Sequence, residues 1–86
     1  MQLLENKQPM HQTWQDRITT DPKIMFGKPV IKGTRVPVDL ILEKLALGET
    51  PEHLLKAYPR ITQDDINACL FFAASSVRND LVFALA

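Results

Sequence analysis

A single cysteine, Cys69, and two histidines, His11 and His53, are all the thiol and imidazole chemistry in these 86 residues. One cysteine excludes an intrachain disulfide framework. Its place in an apolar run reads as a small buried hydrophobe, not as a nucleophile or ligand. The two histidines lie far apart and lack metal-ligand spacing, so neither a metal nor a cofactor is expected. No apolar run approaches the roughly 20 residues of a membrane span. Residues 1–16 hold only scattered Leu3, Leu4, Met10 and Trp14, and nothing there resembles a signal peptide. The expectation is a cytoplasmic protein without a membrane partner. Net charge is missing too, because ten cations balance ten acids, which argues against an indiscriminate nucleic-acid binder.

What is present is 45% hydrophobic residues, a globular and not a disordered composition. The length makes one domain. Such a chain buries only roughly 60–65% of the surface its unfolded form exposes, so oligomerisation would help it. The charge is uneven. Residues 17–35 carry Arg17, Lys23, Lys28, Lys32 and Arg35 against Asp21 alone, whereas residues 36–86 are net acidic. A local basic patch is either a docking surface or simply a solvated face.

The most informative stretch is Gly27-Lys28-Pro29-Val30-Ile31-Lys32-Gly33-Thr34-Arg35-Val36-Pro37-Val38. Apolar Val30, Ile31, Val36 and Val38 alternate with cations and turn formers. Such a segment is expected to be pinned to a core through its apolar positions, with its basic side chains outward. Gly33 is expected at a positive φ. Val30-Ile31 can pair with Ile18-Thr19 as a small ribbon; between them Asp21-Pro22 starts a turn, and Met25-Phe26-Gly27-Lys28-Pro29 reads as a second turn-like element. Gly27-Lys28-Pro29 lacks the ending of a P-loop, so a nucleotide cradle is not expected.

Helices follow. Val38, Ile41, Leu42 and Leu45 form one face of an amphipathic helix that Gly48 terminates. Thr50-Pro51 starts a second helix, with His53 as an ordinary surface residue at N3, and Tyr58-Pro59 stops it. Thr62 caps a third, with Asp64 and Asp65 in its first turn and Ile61 and Ile66 as a hydrophobic staple. The third helix is expected to run to about Val77. It is apolar on nearly every side, which calls for cover on more than one side. A second subunit is the natural cover, with Phe71, Phe72, Leu81 and Phe83 as contacts. The predicted organisation is an N-terminal arm at 1–15, whose Trp14 anchors onto the core, a single domain at 16–77, and an apolar tail at 78–86. Three helices with a β ribbon fit a trihelical helix-turn-helix module; a small α bundle using the same packing is the alternative.

The run from Ile18 to Val38 resembles the signature of the domain of unknown function 433. The likeness continues through Leu45-Ala46-Leu47-Gly48, Thr50 to Leu55, Tyr58-Pro59 and Ile61 to Ile66. It covers roughly residues 16–75. Members of that family resemble homeodomain-like trihelical proteins, and some are similar to VapB-type antitoxins encoded beside a PIN-like nuclease toxin. The resemblance implies a mainly α, homeodomain-like fold, operator DNA binding and toxin neutralisation.

On that reading Gln63 and Asn67, early in the third helix, face base edges. Lys28, Lys32, Thr34, Arg35 and Arg60 contact the backbone, while Gly27, Gly33 and Gly48 shape turns. Asp64 and Asp65 stand against it, since they would repel phosphates. A protein-interaction or dimerisation module without DNA binding is the alternative, with Arg35 able to pair with carboxylates of a nuclease. Arg35 is equally readable as an internal salt bridge to Asp39 or Asp21. No residue constellation points to an enzyme.

Overall fold

Two short strands and three helices account for most of the backbone. The structure is a computed structural model that describes residues 14–85, with side chains through residue 79. In chain order the elements are β1 (Ile18–Thr19), β2 (Val30–Ile31), α1 (Val38–Ala46), α2 (Pro51–Ala57) and α3 (Gln63–Leu85). Single 3-10 turns occupy Gln15–Arg17 and Met25–Gly27. The protein is thus mainly helical, with a two-stranded antiparallel sheet in which Ile18 pairs with Ile31 and Thr19 with Val30.

The glycine- and proline-rich segment folds back on itself because its apolar residues have somewhere to go. Val30, Ile31 and Val38 are buried, and Val36 packs against the same core. Val38 donates its backbone N–H to the Pro29 carbonyl at 2.9 Å, and Ile31 donates to the Val36 carbonyl at 2.9 Å. Thr34 closes the loop between them. Its Oγ1 donates to the Ile31 carbonyl at 2.7 Å and accepts from the Val36 N–H at 3.0 Å. Gly33 sits at φ 80° in that loop, a region open to glycine at no steric cost. Lys28, Lys32 and Arg35 are exposed.

α1 starts at Val38 and buries Val38 and Ile41, with Leu42 and Leu45 packed beside them. It ends in a Schellman motif. Gly48, at φ 96°, donates to the Leu45 carbonyl at 3.0 Å, and Glu49 donates to the Lys44 carbonyl at 3.0 Å. The Thr50 hydroxyl caps α2 by accepting the His53 N–H at 3.1 Å, and Pro51 holds the first helical position. Leu54 is the residue α2 buries.

α3 opens on a reciprocal cap. Asp65 donates its N–H to Thr62 Oγ1 at 3.2 Å, and Thr62 donates its N–H to Asp65 Oδ2 at 2.9 Å, with Asp in the place usually taken by Glu or Gln. Ile61 and Ile66 flank this cap, both in the core. The helix does not stop near Val77: it continues to Leu85, so residues 78–85 are helix and not a separate tail. The reason is local, since the chain has no proline or glycine after Pro59.

One core joins all the elements: Ile31, Val38, Ile41, Leu54, Ile61, Ile66 and Cys69. Each buried Ile or Leu contributes about 1.5–3 kcal/mol relative to exposure. Cys69 is buried, and that burial, helped by the nearby Asp65 charge, pushes its thiol from 9.0 up to about 12. It is a packing residue with its proton firmly held, as its apolar neighbours in the sequence imply.

Candidate functional site

Where each cation finds a partner decides what surface is left for a ligand. Arg17 leads directly into β1, whose pairing with β2 fixes its position; its carbonyl accepts the Lys32 N–H at 2.8 Å. The guanidinium reaches the start of α3. Nη1 donates to Asp65 Oδ1 at 3.1 Å and Nη2 to Asp64 Oδ2 at 3.4 Å. Asp65 is only 8% exposed, and its two oxygens are taken up by Arg17 and the Thr62 N–H. One of the two negative charges that open α3 is therefore offset from within the fold, and Asp64 stays largely exposed.

Lys28 is also engaged. Its Nζ lies 3.0 Å from Asp39 Oδ2, an exposed pair that contributes little to stability. Asp39 is thereby not the partner of Arg35. Asp21 is not either: its Oδ1 accepts the backbone N–H of Lys23 at 2.9 Å. The internal salt bridge that the sequence allowed for Arg35 does not form.

Arg35 and Arg60 make no side-chain hydrogen bond or ion pair with any described residue. They come together nonetheless. Thr19, Ile24, Gly33, Thr34, Arg35 and Arg60 line one open groove of about 340 Å³. The Thr34 hydrogen bonds hold the loop that carries Arg35. Arg60 stands in the α2–α3 turn between Pro59 and the buried Ile61. Two guanidiniums without counterions among the described residues, beside a glycine and a threonine, have the chemistry to take an anion with several oxygens, such as a phosphate or carboxylate.

The remaining expected site residues divide. Lys32 is exposed next to Gly33 but does not line the groove. Gln63 and Asn67 are exposed on α3 and bonded to each other, Gln63 Nε2 to Asn67 Oδ1 at 3.2 Å. Asn67 borders a different, mostly apolar groove of about 380 Å³ with Leu70, Phe71 and Ala74. Phe71 and Phe72 both contact Trp14, with ring centroids 6.2 Å and 6.4 Å apart. Trp14 thus anchors as expected, and part of the surface assigned to a second subunit is covered within the chain. The side chains of Leu81 and Phe83, and the arm before Trp14 with His11, lie outside the described residues. Among the described residues no cluster of His, Cys, Asp or Glu can hold a metal ion, and no helix is long and apolar enough to cross a membrane.

Sequence reasoning missed Thr19 and Ile24 as groove walls, and the task of Arg17. The turn expected at Met25 to Pro29 is present, but its left-handed strain was not foreseen. Met25 (φ 50°), Phe26 (φ 59°) and Gly27 (φ 83°) are consecutive left-handed residues, a conformation that costs roughly 1–2 kcal/mol at each non-glycine position. Gly27 and Pro29 signal a turn in the sequence, but nothing there signals positive φ at Met25 and Phe26.

This three-helix chain with a β ribbon has relatives in sequence and in structure. The family profile described as "Protein of unknown function (DUF433)" matches residues 18–73, and the chain belongs to that family. It is similar to "Uncharacterized protein y4eO" of Sinorhizobium fredii, at 34% identity over 59 residues. That match covers 69% of this chain but 27% of the relative, so this chain spans about a quarter of that protein's length. An "Uncharacterized protein" of Archaeoglobus fulgidus is 67% identical over 24 residues, covering 28% of this chain and 67% of that one. The fold is similar to the crystal structure of a DUF433 member protein from Anabaena variabilis, with a TM-score of 0.69 and 26% identity over 80% of this chain and 68% of that one.

Proposed function

We propose that this chain is a small helix-turn-helix DNA-binding protein of homeodomain-like type, which acts as the antitoxin and autorepressor of a pair with a PIN-like nuclease in the cytoplasm. One observation carries the DNA reading: Arg35 and Arg60 converge on one groove without partners among the described residues, while Arg17 offsets one of the two negative charges at the start of α3. In this reading α2, the Tyr58–Thr62 turn and α3 form the helix-turn-helix. Gln63 and Asn67 then reach base edges, with Arg60 and Arg35 on the adjoining phosphates. Pairing as a homodimer would place two such helices on neighbouring half-sites.

The test is binding of the full chain to the duplex directly upstream of its own coding sequence, with an unrelated duplex of the same length as competitor. The expected result is retention against the competitor, and relaxed specificity in Asn67→Ala. Equal displacement by both duplexes refutes operator recognition.

The second reading, an interaction module without DNA binding, is favoured by the apolar groove at Leu70, Phe71 and Ala74 and by exposed Val77 on α3. Leu70→Glu separates the two. Loss of self-association or nuclease capture with intact DNA binding assigns that face to proteins.

A further inference from the structure

We propose that Phe26 is an apolar wedge that inserts at a base step of the duplex DNA held by the Arg35–Arg60 groove. The inference rests on the DNA-binding reading and adds a contact outside the helix-turn-helix.

Phe26 is 98% exposed. It sits at φ 59° between Met25 at φ 50° and Gly27 at φ 83°. A bulky residue in the left-handed region is an outlier, and the usual occupant is glycine. An aromatic ring held wholly in solvent contributes no core packing in return. The fold therefore carries a residue that makes folding harder, the pattern found where strain serves binding.

The turn is also held firmly. Ile24 donates its N–H to the Asp21 carbonyl at 2.8 Å, Gly27 donates to Ile24 at 3.0 Å and Lys28 donates to Met25 at 3.1 Å. Ile24 itself lines the groove with Arg35 and Arg60. The ring is thus two residues from the groove wall, on a segment that also carries the exposed Lys23.

The surroundings choose the partner. An aromatic that fills a protein pocket is normally ringed by other apolar residues. Phe26 instead lies between Lys23 and Lys28 in sequence, the second of them paired with Asp39, and the apolar groove on α3 shares no lining residue with the basic one. Cations that hold phosphates, together with an apolar side chain that enters between bases, are the combination used by proteins that kink or unstack a duplex. Stacking of this kind is largely independent of salt, unlike phosphate contacts.

The experiment uses the full chain and a labelled duplex of the sequence directly upstream of its gene, with affinity measured across a salt series. Phe26→Gly removes the wedge and relaxes the turn. It is expected to melt about 2–5 °C higher than the parent, to bind about fivefold or more weakly, and to keep the parent's salt slope. Phe26→Leu, still an apolar wedge, is expected to stay within about threefold of the parent. Unchanged affinity in Phe26→Gly overturns the proposal while leaving the DNA reading intact. So does loss of nuclease capture with full DNA binding, which would give Phe26 to a protein partner. Absence of parental binding at low salt overturns the DNA reading and the wedge together.

Discussion

Arg17 and Arg35 flank the same two-stranded ribbon and have the same chemistry, yet they belong to different kinds of surface. At the foot of α3, Arg17 lies against Asp64 and the nearly buried Asp65, and Thr62 completes the network. Across the ribbon, Arg35 shares an open groove with Arg60 and has no partner among the described residues. The first arginine fixes how the ribbon meets the helix. The second leaves a charge ready for something outside the protein. Counting cations along the chain treats them alike. What separates them is whether a carboxylate lies within reach in the folded state.

The strongest perturbation removes what both regions stand on. Ile31 is buried under the ribbon, pairs with Ile18 beside Arg17, and supplies the carbonyl that holds Thr34. Ile31→Ala should destabilise the protein by about 2–5 kcal/mol, read by chemical denaturation, with loss of both the ion-pair network and the groove. Arg17→Ala comes next. It leaves Asp65 almost buried without its cation and should cost about 1–3 kcal/mol, the exposed Asp64 bond adding little. It should also weaken DNA binding by uncovering one negative charge. Arg35→Ala is the mirror test. Its stability should stay within about 0.5 kcal/mol of the parent, while the salt slope of DNA binding falls by about one. A folding loss equal to that of Arg17→Ala would erase the contrast between the two regions.

Much of this was legible before any coordinates. The periodicity of Val38, Ile41, Leu42 and Leu45, the Thr50-Pro51 and Thr62 caps and the Gly48 stop all act through bonds within a few residues, so local pattern captures them. The pairing of Ile18-Thr19 with Val30-Ile31 followed from two short β-prone runs separated by turn residues. The partners of the charges were harder. Arg17 and Asp65 are distant in sequence, and nothing in either neighbourhood announces the other. The same holds for Arg35 and Arg60, which the fold of the loop and the α2–α3 turn brings together. The turn around Phe26 was legible, but its conformation was not: an exposed aromatic at positive φ contradicts the local preferences on which sequence reading rests. α3 runs past Val77 because neither Arg78 nor Asn79 breaks a helix and no proline or glycine follows.

A smaller effect separates core from surface chemistry near the foot of α3. Cys69 has its thiol raised from 9.0 to about 12, by burial first and by the Asp65 charge second. The unfolded chain gives up this proton earlier than the folded one. The resulting stabilisation is therefore complete below pH 9.0 and lost as the pH rises through that window toward 12. Denaturation measured along an alkaline series should show no pH dependence from Cys69 below pH 9.0 and a progressive fall in stability above it, absent in Cys69→Ala.

The central proposal is that two arginines without partners among the described residues make the groove a phosphate site. The most direct measurement is the salt dependence of duplex binding for the parent and for the Arg35→Ala/Arg60→Ala double variant, with folding checked by thermal melting. The account predicts an unchanged melting temperature, weaker binding, and a log–log slope shallower by about two, one for each phosphate contact removed. Identical slopes in the two proteins, or no parental binding at low salt, would contradict it.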